Sequence, residues 1–147
     1  FQNEKCMAAE IMDKSSNPLE EFLMILQAFT STMHEIPTNM VYEIQKYYPK
    51  AWNLFHEFKS GYITDSIRRN LERGVEKGLY RKDMDVSLVT KLRVEQLDMV
   101  FNPTIFPPKD YDVLRLQEEL FKLFLHGIVT LKGKKLIYKY LNQPEDD

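Results

Sequence analysis

The run Leu71-Glu72-Arg73-Gly74-Val75-Glu76-Lys77-Gly78-Leu79-Tyr80-Arg81-Lys82-Asp83-Met84-Asp85 decides how this chain folds. Before it, Ile63, Ile67, Leu71 and Val75 recur every four residues, the spacing of a helix face turned toward a core. Gly78 can take the left-handed conformation that closes a helix without a Cβ penalty. Leu79 and Tyr80 can then fold back onto the last turn, and Asp83 or Asp85 can accept hydrogen bonds from the unpaired N–H groups of a following helix. Taken alone, the run predicts a helix-turn-helix hairpin.

Working toward the amino terminus, the same punctuation recurs. A helix over 1–13 ends in Lys14-Ser15-Ser16-Asn17-Pro18, where Asn17 can cap the next helix and Pro18 suits its first position. That next helix, 18–36, carries Leu19, Phe22, Leu23, Leu26, Phe29 and Met33 on one broad face. Pro37 ends it, and Thr38 or Asn39 can cap a short helix through Tyr48. Pro49 then opens a long helix reaching Lys77, with Trp52, Phe55, Phe58 and Tyr62 in its first half and aliphatic residues in its second. Such a gradient suits either plain core packing or a cavity lined for an apolar ligand.

Toward the carboxyl terminus, a helix over 86–101 presents two apolar faces: Val86, Val89, Leu97, Val100 and Phe101 on one, Leu88, Leu92 and Met99 on the other. A helix covered on both sides is central in its own domain or shared with a second subunit. Arg93 projects within the first face and calls for a carboxylate or phosphate partner: Glu95 or Glu118, or alternatively an acidic ligand with Gln96 beside it as a second polar contact. A further helix, 110–130, has a stripe of Leu116, Leu120, Phe121, Phe124 and Ile128 with Gly127 inside it, where another helix could approach closely. The segment 132–141 reads as a solvated helix face, and 142–147 as a frayed, disordered acidic tail.

Strand signals are nearly absent, so the expected fold is all-α: one helical domain over 1–147, a bundle of about six to seven helices. A net charge of −2 and a pI near 6.0 lack the basic footprint that phosphate-backbone binding needs. The single cysteine, Cys6, cannot form an internal disulfide, fits a reducing cytoplasm, and reads as a small buried residue. No apolar stretch is long enough to span a bilayer, so no membrane partner is expected. The histidines His34, His56 and His126 lack metal-ligand spacing, and glycine-rich phosphate loops and a nucleophile elbow are missing. Neither metal, cofactor nor enzymatic activity is expected.

The junction, a helix ending Leu71-x-x-Gly74-x-x-x-Gly78 followed by Leu79-Tyr80-Arg81-x-Asp83-x-Asp85 and an apolar helix, resembles the carboxy-terminal domain of TetR-family transcriptional regulators. The order of helices is similar too, over nearly all 147 residues, and Leu123-Phe124-Leu125-His126-Gly127-Ile128-Val129-Thr130 with Lys132-Gly133 looks like the closing segment of some members. The resemblance implies a bacterial, cytoplasmic homodimer, a repressor whose amino-terminal DNA-binding helix-turn-helix is missing from this chain, residues 1–13 being the end of the helix that connects to it. An unknown small apolar or amphipathic effector would loosen the grip on DNA through that connecting helix. Candidate ligand-binding residues are Met7, Ile11, Phe22, Leu26, Phe29, Trp52, Phe55, Phe58, Arg93, Gln96 and Val100. The last two long helices would build a four-helix dimer interface from Leu88, Leu92, Met99, Leu116, Leu120, Phe121, Phe124, Gly127 and Ile128. The competing reading is a helical protein–protein interaction scaffold with no small-molecule site.

Overall fold

The computed structural model describes residues 2–37 and 39–141, with side chains for all of these except 2–5, 7, 8 and 141. In chain order the elements are α1 (Gln2–Lys14), α2 (Pro18–Glu35), α3 (Met40–Tyr47), α4 (Pro49–Phe58), a π-helical turn (Lys59–Ile63), α5 (Thr64–Glu76), α6 (Val86–Met99), α7 (Val113–Ile128) and α8 (Leu131–Leu141). The fold is all-helical. Among the described residues the one strand-like pairing is an isolated antiparallel bridge between Tyr80 and Val129.

Local chemistry explains most of the boundaries. The Asn17 side chain accepts the Glu20 N–H at 2.9 Å, with Pro18 at the first helical position. Asp85, rather than Asp83, caps α6 by accepting the Leu88 N–H at 3.1 Å. Asp112 caps α7 in the same way through the Leu114 N–H, so that helix begins three residues later than the apolar pattern suggests. Asn39 makes no side-chain capping bond to α3, and Thr38 lies outside the described residues.

The junction after α5 is closed more firmly than a simple hairpin. Gly78 adopts φ = 71°, and the Leu79 and Tyr80 N–H groups both donate to the Gly74 carbonyl, at 2.9 and 3.1 Å. The Tyr80 ring is fully buried against Gly74, in space that a Cβ on that residue would need. Its hydroxyl donates to Asn70 Oδ1 at 2.8 Å, and Asn70 Nδ2 donates to the Pro18 carbonyl at 2.9 Å. The Arg81 N–H reaches the Ile128 carbonyl, and the Thr130 N–H reaches that of Leu79. One turn therefore ties α5 to the start of α2 and to the end of α7.

The core collects Leu19 and Phe22 of α2, Ile67 and Leu71 of α5, Leu79 and Tyr80 of the turn, Val94 of α6, Phe121, Leu125 and Ile128 of α7, and Ile137 of α8. Four sequence-based expectations are altered here. Cys6 is exposed rather than buried. The 132–141 segment is no mere solvated face, because Ile137 and Tyr138 are buried, Gly133 packs against the Leu79 carbonyl, and Asn17 donates to the Tyr140 hydroxyl at 2.6 Å. Phe121 and Ile128 point into the chain's own core, whereas Leu123 on the opposite side of α7 is 70% exposed. Finally, the long helix is interrupted by the π-helical turn.

Candidate functional site

The interruption in the long helix has a local chemical cause. Ser60 and Gly61 are weaker helix formers than alanine or leucine, and the Thr64 hydroxyl donates to the Lys59 carbonyl at 2.8 Å, five residues back. The Thr64 N–H also contacts that carbonyl. At the start of the turn, the buried Lys59 ammonium donates to both carboxylate oxygens of Asp98 on α6, at 3.0 and 3.1 Å. Glu95 lies 3.8 Å from the same nitrogen, and His56 Nδ1 lies 3.8 Å from Asp98. A buried cation thus pins the wide turn to α6. Such one-turn π segments are frequent at functional sites.

On either side of this turn the long helix behaves differently. In α5, Ile67, Asn70, Leu71 and Gly74 are buried. In α3 and α4 no residue is buried, although α4 carries Trp52, Phe55 and Phe58. Trp52 and Phe55 stack at 5.2 Å, His56 meets both rings edge-on, and Phe58 stacks on Tyr62 at 5.4 Å. The aromatic half is half-open, and the aliphatic half is core.

Across the bundle, Arg93 on α6 is buried to 8% exposure. Its guanidinium lies over the rings of Phe121 and Phe124 on α7, 5.5 and 5.2 Å from their centroids. Burial pulls its pKa down from the ordinary guanidinium value to about 10, so it stays a cation at neutral pH. Its Nη1 has no hydrogen-bond partner among the described residues, and neither has the buried Oε1 of Gln96 one helical turn on. Glu95, one of its expected carboxylates, bonds Lys91 at 3.0 Å instead, and that bond holds the Glu95 carboxyl below its usual range. Glu118, the other, is exposed.

Of the expected ligand residues, Phe22 and Arg93 meet on Phe124, the two phenylalanine rings lying 5.6 Å apart and edge-on. Leu26 and Phe29, one and two turns farther along α2, are half-buried, as are Trp52, Phe55, Phe58 and Gln96. Ile11 and Val100 are buried, Val100 completely. The side chain of Met7 lies outside the described residues. Among the expected interface residues, Leu88 and Leu92 are 56% exposed, Met99, Leu116, Leu120 and Phe124 are half-buried, and a Cβ on Gly127 would meet nothing within 4 Å.

Sequence reasoning missed the Lys59–Asp98 pair and the ring bed under Arg93. A signal for the first existed: Lys59 interrupts the four-residue series Phe55, Lys59, Ile63, Ile67, where a charge on an apolar stripe needs a partner. Two surface recesses lie elsewhere, one of about 630 Å³ lined by Leu131, Lys132, Lys135, Leu136 and Lys139, the other of about 330 Å³ beside Tyr42 and Tyr47. Neither is lined by an expected ligand residue. Among the described residues no cluster of His, Cys, Asp and Glu is arranged to hold a metal, and no helix is long and apolar enough to cross a membrane. No protein-family model, curated protein or solved structure matches this chain.

Proposed function

We propose that this chain is the effector-sensing and homodimerisation domain of a TetR-like transcriptional regulator, acting as a repressor. The reading rests on the resemblance of the Gly74–Asp85 junction and the helix order, and one structural observation carries it further. A single helical rod is core along α5 and half-open along α4, with its aromatic residues on α4 and the π-helical turn and none on α5. Half-buried aromatic rings beside a packed scaffold are what an apolar effector needs: contact area on one side and a rigid reference on the other.

Effector binding would be felt at α1, which packs on α2, the helix that also carries Phe22, Leu26 and Phe29. A ligand that favours one setting of α2 then biases α1 and any DNA-reading segment attached to it, by no more than its differential affinity for the two settings. The dimer would form through the outer faces of α6 and α7. Leu88 and Leu92 stand one turn apart on α6 and Leu123 stands out on α7, all exposed in the protomer. The mass in solution tests the reading. A dimer that Leu92→Glu converts to folded monomer supports it, and a wild-type monomer at micromolar concentration overturns it.

A further inference from the structure

We infer that Arg93 and Gln96 form the head-group site for an amphipathic carboxylate whose apolar tail lies along the Phe22, Leu26 and Phe29 face of α2. The inference rests on the sensing role proposed above and names the chemical class that this site would take.

Its first support is an unanswered charge. Arg93 is more than nine-tenths buried, yet Nη1 has no hydrogen-bond partner among the described residues. The carboxylates nearest to it along α6 are already engaged, Glu95 with Lys91 and Asp98 with Lys59. Rings of Phe121 and Phe124 support the guanidinium from one side without supplying an acceptor in its plane. A planar fork of N–H donors matches a carboxylate in geometry and in charge, and a desolvated site strengthens that pairing.

The second support is the Gln96 amide, one turn along the same helix, whose buried oxygen is likewise without a partner. An amide end can turn to present NH2 in place of oxygen, giving a second donor to a carboxylate. The third is the path for a tail. Phe124 links the guanidinium to Phe22, and from the buried Phe22 the half-buried apolar positions Leu26 and Phe29 follow at helical spacing.

Calorimetric titration of the chain with sodium octanoate and with 1-octanol tests this, since the two share a tail and differ in the head. The wild type should bind octanoate at least tenfold more tightly than octanol. Arg93→Met should lose that preference and keep its octanol affinity, with a denaturation midpoint equal to or above the wild-type value, because an unpaired buried cation is replaced by an apolar side chain of similar length. Should Arg93→Met fail to fold, Gln96→Leu decides: octanoate binding weakened several-fold with octanol unchanged supports the site. Equal binding of the two probes by the wild type, or undiminished octanoate binding by Arg93→Met, overturns the carboxylate assignment and leaves the sensing role standing. Binding of neither probe by a stable dimer also overturns it, and binding of neither by a monomer overturns the sensing role as well.

Discussion

The Tyr80 ring occupies the space that a side chain on Gly74 would fill, so one residue six positions down the chain stands in for the missing Cβ. Gly74 is thus held to glycine by packing rather than by its backbone angles. Gly78, four residues on, has φ = 71° and open space around a notional Cβ. The two glycines of the junction therefore answer to different physics, and substitution separates them.

Gly74→Ala should lower stability by about 3 kcal/mol or more, since the rigid ring is anchored through its hydroxyl and cannot step aside. Gly78→Ala should cost about 1 kcal/mol, the strain of a Cβ in left-handed backbone. Urea unfolding of both variants checks the ranking, and a cheaper Gly74→Ala would mean that Tyr80 can leave its site.

Tyr80 should also mark the alkaline limit of the fold. Burial, with the Glu21 charge nearby, pushes its hydroxyl far above the ordinary phenol value, against a smaller opposing effect of Arg73. A folded pKa above the unfolded one means that the unfolded chain holds fewer protons once pH exceeds about 10, so stability falls from there upward. Arg93 acts in the opposite sense, its folded pKa being depressed to about 10. Tyr80→Phe should lose about 1 kcal/mol at neutral pH by leaving Asn70 Oδ1 without its donor, and should flatten the decline above pH 10. Denaturation midpoints from pH 7 to 11 give both numbers.

Lys59 and Asp98 should behave as a buried pair whose halves depend on each other. Lys59→Met strands a carboxylate that is 13% exposed, and the expected loss is about 3 kcal/mol. The double variant Lys59→Met with Asp98→Leu should recover most of it. A double-mutant cycle by chemical unfolding measures the coupling, and additive losses would show that the pair is not coupled.

Leu92→Glu and Phe121→Glu should fail in different ways. Leu92 is 56% exposed, so a charge there leaves the protomer fold intact, whereas Phe121 is 4% exposed and carries the Arg93 guanidinium, so a charge there should unfold the chain. Circular dichroism distinguishes the outcomes. Helical content retained in Phe121→Glu would mean that α7 can rotate in its seat.

Hydrogen exchange should divide the long rod in two. With no buried residue in α3 or α4, amides of 40–58 should exchange well before those of α5. Equal protection along the rod would argue that the aromatic half is as firmly packed as the aliphatic half.

Much of the helix layout was legible because the chain punctuates it with residues of narrow conformational range: Asn17-Pro18, Pro49, Gly78 and Asp85 each stand where a helix starts or stops. Contacts between distant segments were not legible. The bridge from Tyr80 to Val129 joins residues whose local pattern gives no strand signal, and Ile137 reads as one apolar residue among lysines until α2 is laid beside it. In α7, periodicity grouped Phe121 and Ile128 with Leu116 and Leu120, yet it could not say which side of that broad stripe faces the chain's own core. At the candidate site, the oddity of Arg93 on an apolar face was visible, but its ring bed depended on how α6 and α7 cross.

The π-helical turn at Lys59–Ile63 acts as a clutch between the two halves of one rod. Closing hydrogen bonds over five residues instead of four takes up one extra residue, which turns everything upstream by roughly 100° relative to an unbroken α-helix. Deleting a single residue within Lys59–Ile63 would restore the regular pitch and leave Trp52 and Phe55 on nearly their present bearing relative to Ile67 and Leu71, whereas closing the turn at regular pitch with every residue kept would swing them by roughly 100°. The direction in which the aromatic end points is therefore set by the hydrogen-bond pattern of one turn, and converting that turn to regular α-helix at full length would re-aim it without altering any side chain that it carries.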